Sequence, residues 1–172
     1  SAHATPRYIG IPAHQSPHTL LDFLDILEKR GNTLDTCQRP LHVLDPNFES
    51  FQKQVLPVLL EKEYGVIAMK TMSGGSMMGK RIDTTPEWIK TDMIPDMVRE
   101  TRITPAQLHQ YVYSLPASSL VSGCTTLAEL EHNIGVLQNY KNIGSSEMQR
   151  LEELVKPYAG LIVENYKRVL DV

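Results

Sequence analysis

Apolar and polar positions along this chain switch between a strand-like and a helical period, and the switch recurs four times. Arg7-Tyr8-Ile9-Gly10-Ile11 is a short extended run closed by Pro12. Leu20, Phe23, Leu24 and Leu27 then return at helical spacing until Gly31-Asn32 ends the segment. A second run, residues 34–38, gives way to an irregular stretch over residues 40–45. The helix after it carries Phe48, Phe51, Val55 and Leu59 on one face, with Pro57 placed to kink it. The third run, Gly65-Val66-Ile67-Ala68-Met69-Lys70, is the clearest strand. It opens into a Gly- and Met-rich stretch over residues 71–79 and a long connection to Ile103, in which Trp88, Ile89, Met93 and Ile94 suggest a helix. Thr104-Pro105-Ala106-Gln107 combines an N-cap, a proline at the first helical position and a capping glutamine, ahead of Leu108, Tyr111, Val112 and Leu115. Leu120-Val121 is a fourth strand, and Thr126 with Glu129 forms a capping box that starts a helix at Leu127. Ser146 and Gln149 suggest another capped helix bearing Leu151, Leu154 and Val155, stopped by Pro157. Residues 161–169 form a last short helix in this reading.

The order is four βα units and a helical tail, a single α/β unit over residues 1–172. Such alternation implies parallel strands joined by right-handed crossovers. Two arrangements satisfy it: part of a (β/α)8 barrel, or an open sheet of flavodoxin type. In both, the C-terminal strand ends and the loops after them share one side, where ligands bind. Residues 12–15, 38–42, 69–75 and 122–126 therefore converge there.

The last of these segments carries the sharpest chemistry. Ser122, Gly123, Cys124 and Thr125 have little side-chain bulk and lead into a capped helix, whose first amides face back towards them. An uncovered helix N-terminus at a strand end is suited to a phosphate, although most such turns bind nothing. Lys70, directly after an apolar strand, is either a rim lysine or a phosphate or nicotinamide contact. His14 has the right pKa range for a general base, yet a single imidazole at a strand end is more often structural. His42 is a weaker candidate, and His3, His18, His109 and His132 are assigned to the surface. Cys124 at a helix start invites a lowered thiol pKa, with backbone packing the plainer explanation. Met69, Met72, Met77 and Met78 fit an apolar substrate pocket or flexible core filler equally well.

Composition narrows the class. Hydrophobic content of 41% and charged content of 22% are those of a folded globular domain. A net charge of −3 and the lack of a basic stripe argue against nucleic acid. Cys37 and Cys124 make neither a disulfide framework nor a metal finger. No apolar run suits a membrane span and no signal peptide is visible, so a cytoplasmic protein is expected. The first residue is Ser1 and a strand begins almost at once, as in a piece of something longer.

Five motifs in order carry a family resemblance: Arg7-Tyr8-Ile9-Gly10-Ile11 with His14; Cys37-Gln38; the strand ending Met69-Lys70 with Gly74-Gly75; Ser114-Leu115-Pro116; and residues 121–134, from Val121-Ser122-Gly123-Cys124 to Asn133-Ile134. Together they resemble the C-terminal half of an aldo/keto reductase of a bacterial branch, over residues 7–170. The resemblance implies a (β/α)8 barrel that moves hydride between NADP or NAD and a small carbonyl substrate, with these strands as the fifth to eighth. It also implies that the family's catalytic Asp, Tyr, Lys and His, which come from the first four strands, have no counterpart here. No catalytic residue and no metal ligand is assigned.

By the same resemblance, Gln38 matches the residue that bonds the nicotinamide carboxamide, while the usual Ser-Asn pair falls on Pro12 and Ala13. Met69 stands where many members stack a Tyr on the ring, and Lys70 and Thr71 begin the pyrophosphate loop. Ser122, Gly123, Cys124, Thr125 and Thr126 match the adenosine-phosphate turn, and Asn133 the adenine contact. The Arg for the 2′-phosphate falls on Glu129, which argues against a strong preference for NADP. The leading expectation is the cofactor-binding half of an oxidoreductase, incomplete for catalysis. The alternative is a non-catalytic half-barrel that assembles with itself as a homodimer or with a missing N-terminal half.

Overall fold

Each apolar run pairs in parallel with its neighbour because the intervening helix carries the chain back to the same end of the sheet. In the computed structural model, which describes residues 7–80 and 94–168, the strands are β1 (Gly10–Pro12), β2 (Thr36–Pro40), β3 (Gly65–Met69) and β4 (Ser119–Leu120). They hydrogen-bond in the order β1-β2-β3-β4, every pair parallel. The flavodoxin-type alternative requires a reversal of strand order at a switch point, and the sequential order removes it.

Strand limits shift slightly from the sequence reading. β1 starts at Gly10 rather than Arg7, since the Ile9 amide turns to the Asp35 carboxylate at 2.6 Å. Gly10 itself is required there: a Cβ at this position would lie 2.1 Å from Thr36 Oγ1. β2 takes in Arg39 and Pro40 but not Leu34. β4 begins at Ser119, and the Val121 amide still reaches the Ala68 carbonyl at 2.8 Å.

Helix α1 (Pro17–Lys29) is capped by Ser16, whose hydroxyl accepts from the Thr19 amide. It buries Leu20 and Leu24, whereas Phe23, read as inward, is 40% exposed. Helices α2 (Phe51–Gln54) and α3 (Leu56–Glu61) are one helical stretch broken at Val55, just before Pro57, as the sequence suggests. Helix α4 (Met97–Thr101) precedes α5 (Pro105–Tyr113), in which both halves of the Thr104–Gln107 capping box form. Trp88, Ile89 and Met93 lie outside the described residues; Ile94 is buried.

Helix α6 (Leu127–Gln138) begins with the predicted Thr126–Glu129 box. Helix α7 (Ser145–Val155) does not use Ser146 as its cap; Gly144 stands there, and its carbonyl takes the Glu147 and Met148 amides. The helix expected over residues 161–169 is absent from the described part, 161–168, which forms turns. Gly160 at φ 131° redirects the chain, and the Ser73 hydroxyl then holds the Val163 carbonyl at 2.6 Å, so local helix bonds give way to tertiary ones.

Alternation along the strands separates two faces. Cys37, Val66 and Ala68 face the helices and pack with Leu20, Leu24, Phe51, Leu59, Leu108 and Val112 in one apolar core. Each such aliphatic or aromatic side chain contributes about 2 kcal/mol on burial. The opposite face presents Thr36, Gln38, Ile67 and Met69, all only half-buried, with Gly10 and Pro12 exposed.

Candidate functional site

All four C-terminal strand ends lie on one side, so the segments singled out in the sequence do share an end of the sheet. Gln38 pairs in register with Ile67, and Pro40 with Met69. Gln38 and Met69 thus sit on the same open face of neighbouring strands, near their ends. Lys70 follows at φ 56°, in the left-handed region that costs a non-glycine residue about 1 kcal/mol. Burial lowers its pKa, and its Nζ lies 4.7 Å over the Tyr166 ring. Thr71 is buried beneath this loop, as are Ser73 and Met77; Met72 and Met78 are half-buried. Met77 is thereby core filler.

The phosphate turn has the polar convergence the sequence suggests, but its N-terminus is not uncovered. Glu129 Oε2 accepts from the Thr125 amide at 2.7 Å, the Thr125 hydroxyl at 2.9 Å and the Thr126 amide at 3.2 Å. These bonds, led by the Thr125 amide, hold the carboxyl below its ordinary pKa. The turn therefore does receive an oxyanion, and the oxyanion is the chain's own. The reason is the capping box: its glutamate reaches back to the amides a phosphate would need. Gly123, Cys124, Thr125 and Thr126 are exposed, and Cys124 is a free thiol.

Ser122 joins a second cluster. Its hydroxyl accepts from Asn133 Nδ2 at 2.8 Å and stands 3.4 Å from His109 Nε2. His109, assigned to the surface, is 1% exposed and stacked on Tyr113, with burial lowering its pKa. The error came from its polar neighbours in sequence; it occupies the inward face of α5 beside Leu108. A cavity of about 410 Å³ opens beside this cluster between α5, β4 and α6, lined by Tyr113, Leu120, Ser122, Asn133, Ile134 and Leu137. Ser122, Asn133 and Ile134 belong to the motif over residues 121–134, whereas the wall from α5 was not legible in it.

A buried ionic network at the same end also escaped the sequence. Lys167 Nζ lies 2.8 Å from Asp45 Oδ1 and 2.6 Å from Glu164 Oε1, all three side chains fully buried. His42 Nε2 bonds the Tyr166 hydroxyl, and its Nδ1 accepts the Asp45 amide at 3.2 Å. Burial first, then Lys167, holds the His42 pKa well below the ordinary value, so the ring is neutral. The Asp45 carboxylate also accepts from Ser50, Phe51 and Gln52, which closes its coordination. Arg39 is fully buried on the core face, and its guanidinium has no hydrogen-bond partner among the described residues. The signal was present in Leu41-His42-Val43-Leu44-Asp45, an apolar run containing two ionisable groups that would need partners. The partners lie in the tail, where no sequence pattern could place them.

Many solved structures share this architecture. The holo form of an aldo-keto reductase from Bacillus halodurans matches at TM-score 0.59 and 16% identity, covering 86% of this chain and 50% of that one. Its apo form matches at 0.57 and 15%, with the same coverage. A glycerol dehydrogenase from Gluconobacter oxydans matches at 0.54 and 16%, covering 88% of this chain and 50% of its own. No family model and no curated protein matches. At such identities the likeness establishes the fold. The chain spans half the length of these structures, and its sequential parallel strands are half of an eight-stranded barrel.

Proposed function

We propose that this chain is the dinucleotide-binding half of an NAD(P)H-dependent aldo-keto reductase of bacterial type. The observation that carries this reading is the shared end of the sheet: Gln38, Met69 and Lys70 stand beside a turn whose amides already bind an oxyanion. Gln38 offers an amide to a nicotinamide carboxamide, Met69 an apolar surface to its ring, and Lys70 a charge to the pyrophosphate. The turn at residues 122–126 takes the adenosine phosphate once Glu129 withdraws. Hydride transfer also needs a proton donor beside the carbonyl oxygen. The reading assigns that donor to the other half of the barrel, so this chain alone binds cofactor without turnover.

Among the described residues no helix is long and apolar enough to cross a membrane. Two free thiols suit a reducing cytoplasm, where reduced nicotinamide cofactors are made. Titration with NADPH and NADH, followed by nicotinamide fluorescence, tests the reading. Saturable binding that weakens in Gln38→Ala supports it, and a folded sample that binds neither cofactor refutes it.

A second reading, assembly into a complete barrel, draws on where large apolar side chains meet water. Tyr8 and Ile9 flank the β1 edge, Phe23 and Ile26 lie on α1, and Val121, Leu127, Leu130, Ile134 and Leu137 flank the β4 edge. These are the two sides along which four strands would meet four more. Light scattering tests it: a dimer supports closure by a second copy, and a stable monomer at high concentration counts against that.

A further inference from the structure

The tail that replaces the expected last helix brings a second basic group to the ligand end. The Arg168 amide donates to the Gln15 carbonyl at 2.7 Å, which fixes the tail beside the loop that follows β1. Tyr166, two residues earlier, lies under the Lys70 ammonium. His14, next to Gln15, therefore shares this corner with Lys70 and Arg168. Its pKa is lowered by partial burial, then by the charges of Lys70 and Arg168.

Among the described residues no carboxylate pairs with His14, Lys70 or Arg168; the nearby Glu164 and Asp45 are both engaged by Lys167. The Arg168 guanidinium spends Nη1 on the Asn165 and Lys167 carbonyls, 2.9 Å each. Its Nε and Nη2 remain without a partner among the described residues, and the side chain is exposed. That free edge is the planar fork that takes a carboxylate or phosphate. Lys70 is half-buried, which raises the cost of leaving an ammonium unpaired.

We propose that His14 and Arg168, with Lys70 shared with the cofactor pyrophosphate, form an oxyanion site that holds a carboxylate or phosphate group of the substrate. The assignment to substrate rests on the reductase reading above. It follows from position: His14 and Arg168 stand at the β1 end, whereas the phosphate turn follows β4 at the far edge, with Lys70 between them at the β3 end. At a strand spacing of ~4.8 Å, the β1 and β4 ends stand ~14 Å apart. An anionic group at the corner and the adenosine phosphate at the turn then occupy opposite sides of the open face. The buried Lys167–Asp45 pair positions Arg168 by anchoring the residue before it.

Inorganic phosphate titrated into the intact chain, with the His14 imidazole C–H resonance as the readout, tests the proposal. Saturable binding is expected, with affinity falling at least fivefold in Arg168→Gln and returning to within about threefold in Arg168→Lys. NADPH binding by fluorescence should stay within about twofold in Arg168→Gln. Absence of a His14 response, or phosphate affinity unchanged in Arg168→Gln, overturns the site. Parallel loss of phosphate and NADPH affinity overturns the substrate assignment and gives the corner to the cofactor. Phosphate binding that needs Arg168, in a chain that binds no NADPH, keeps the site and removes the reductase reading.

Discussion

Lys167 Nζ sits 2.8 Å from Asp45 Oδ1, a contact between side chains wholly shielded from water and separated by 122 residues of chain. Each charge has given up hydration that the other replaces, together with Glu164 and the Phe48 carbonyl for the ammonium and the Ser50, Phe51 and Gln52 donors for the carboxylate. Lys167→Met leaves two carboxyl groups facing each other without a cation. Urea unfolding should show a loss of about 3–5 kcal/mol. A loss under about 1 kcal/mol would show that the pair is solvated in solution.

Burial pushes the Glu164 carboxyl up to about 7, only partly offset by Lys167. The folded pKa thus exceeds the unfolded one, so the native state binds the extra proton. Its stabilising contribution is complete below about 4.5 and is lost as pH rises through about 7. His42, kept neutral by burial, acts in the opposite sense and penalises pH below its ordinary 6.5. The difference between the wild type and Glu164→Gln isolates the glutamate. Relative to the variant, the wild type should lose stability between about pH 5 and about pH 8. A difference that does not vary with pH would remove Glu164 from the titration.

Glu129 occupies the amides that the phosphate reading needs. Glu129→Gln keeps a capping side chain but removes the competing charge. NADPH affinity should rise, roughly fivefold, with less change for a ligand lacking the adenosine phosphates. Unchanged affinity would place the phosphate elsewhere.

Leu130 and Ile134 lie on an exposed flank of α6. Leu130→Glu with Ile134→Glu should leave thermal unfolding within about 1 kcal/mol of wild type, since surface changes cost little. Any dimer seen by light scattering should dissociate. A dimer that survives the double change must use another surface.

Most of the fold was legible because local signals agreed. The Thr104 and Thr126 boxes, the Pro57 break and the β3 run each specify structure within a few residues, and those elements form. The sheet order follows from βα alternation once the strands are known. The site was legible only where a motif is local. The turn at residues 122–126 could be read, yet which oxyanion fills it depends on the competition between Glu129 and a ligand. His109 and residues 161–168 were misplaced for a common reason: their environment is set by contacts distant in sequence, with Ser122, Ser73 and Gln15. Periodicity carries no information about such partners.

The span between Asp45 and Lys167 has a kinetic corollary. Neighbouring strands pair across residues 13–35, 41–64 and 70–118, so β1 to β4 can zip up in chain order, while the tail must close a longer span of 122 residues. The latch therefore engages late, after the transition state for sheet formation. Lys167→Met should then leave the refolding rate nearly unchanged and place almost all its effect on the unfolding limb of a chevron. The tail acts as the brake on unravelling rather than as the seed of the fold.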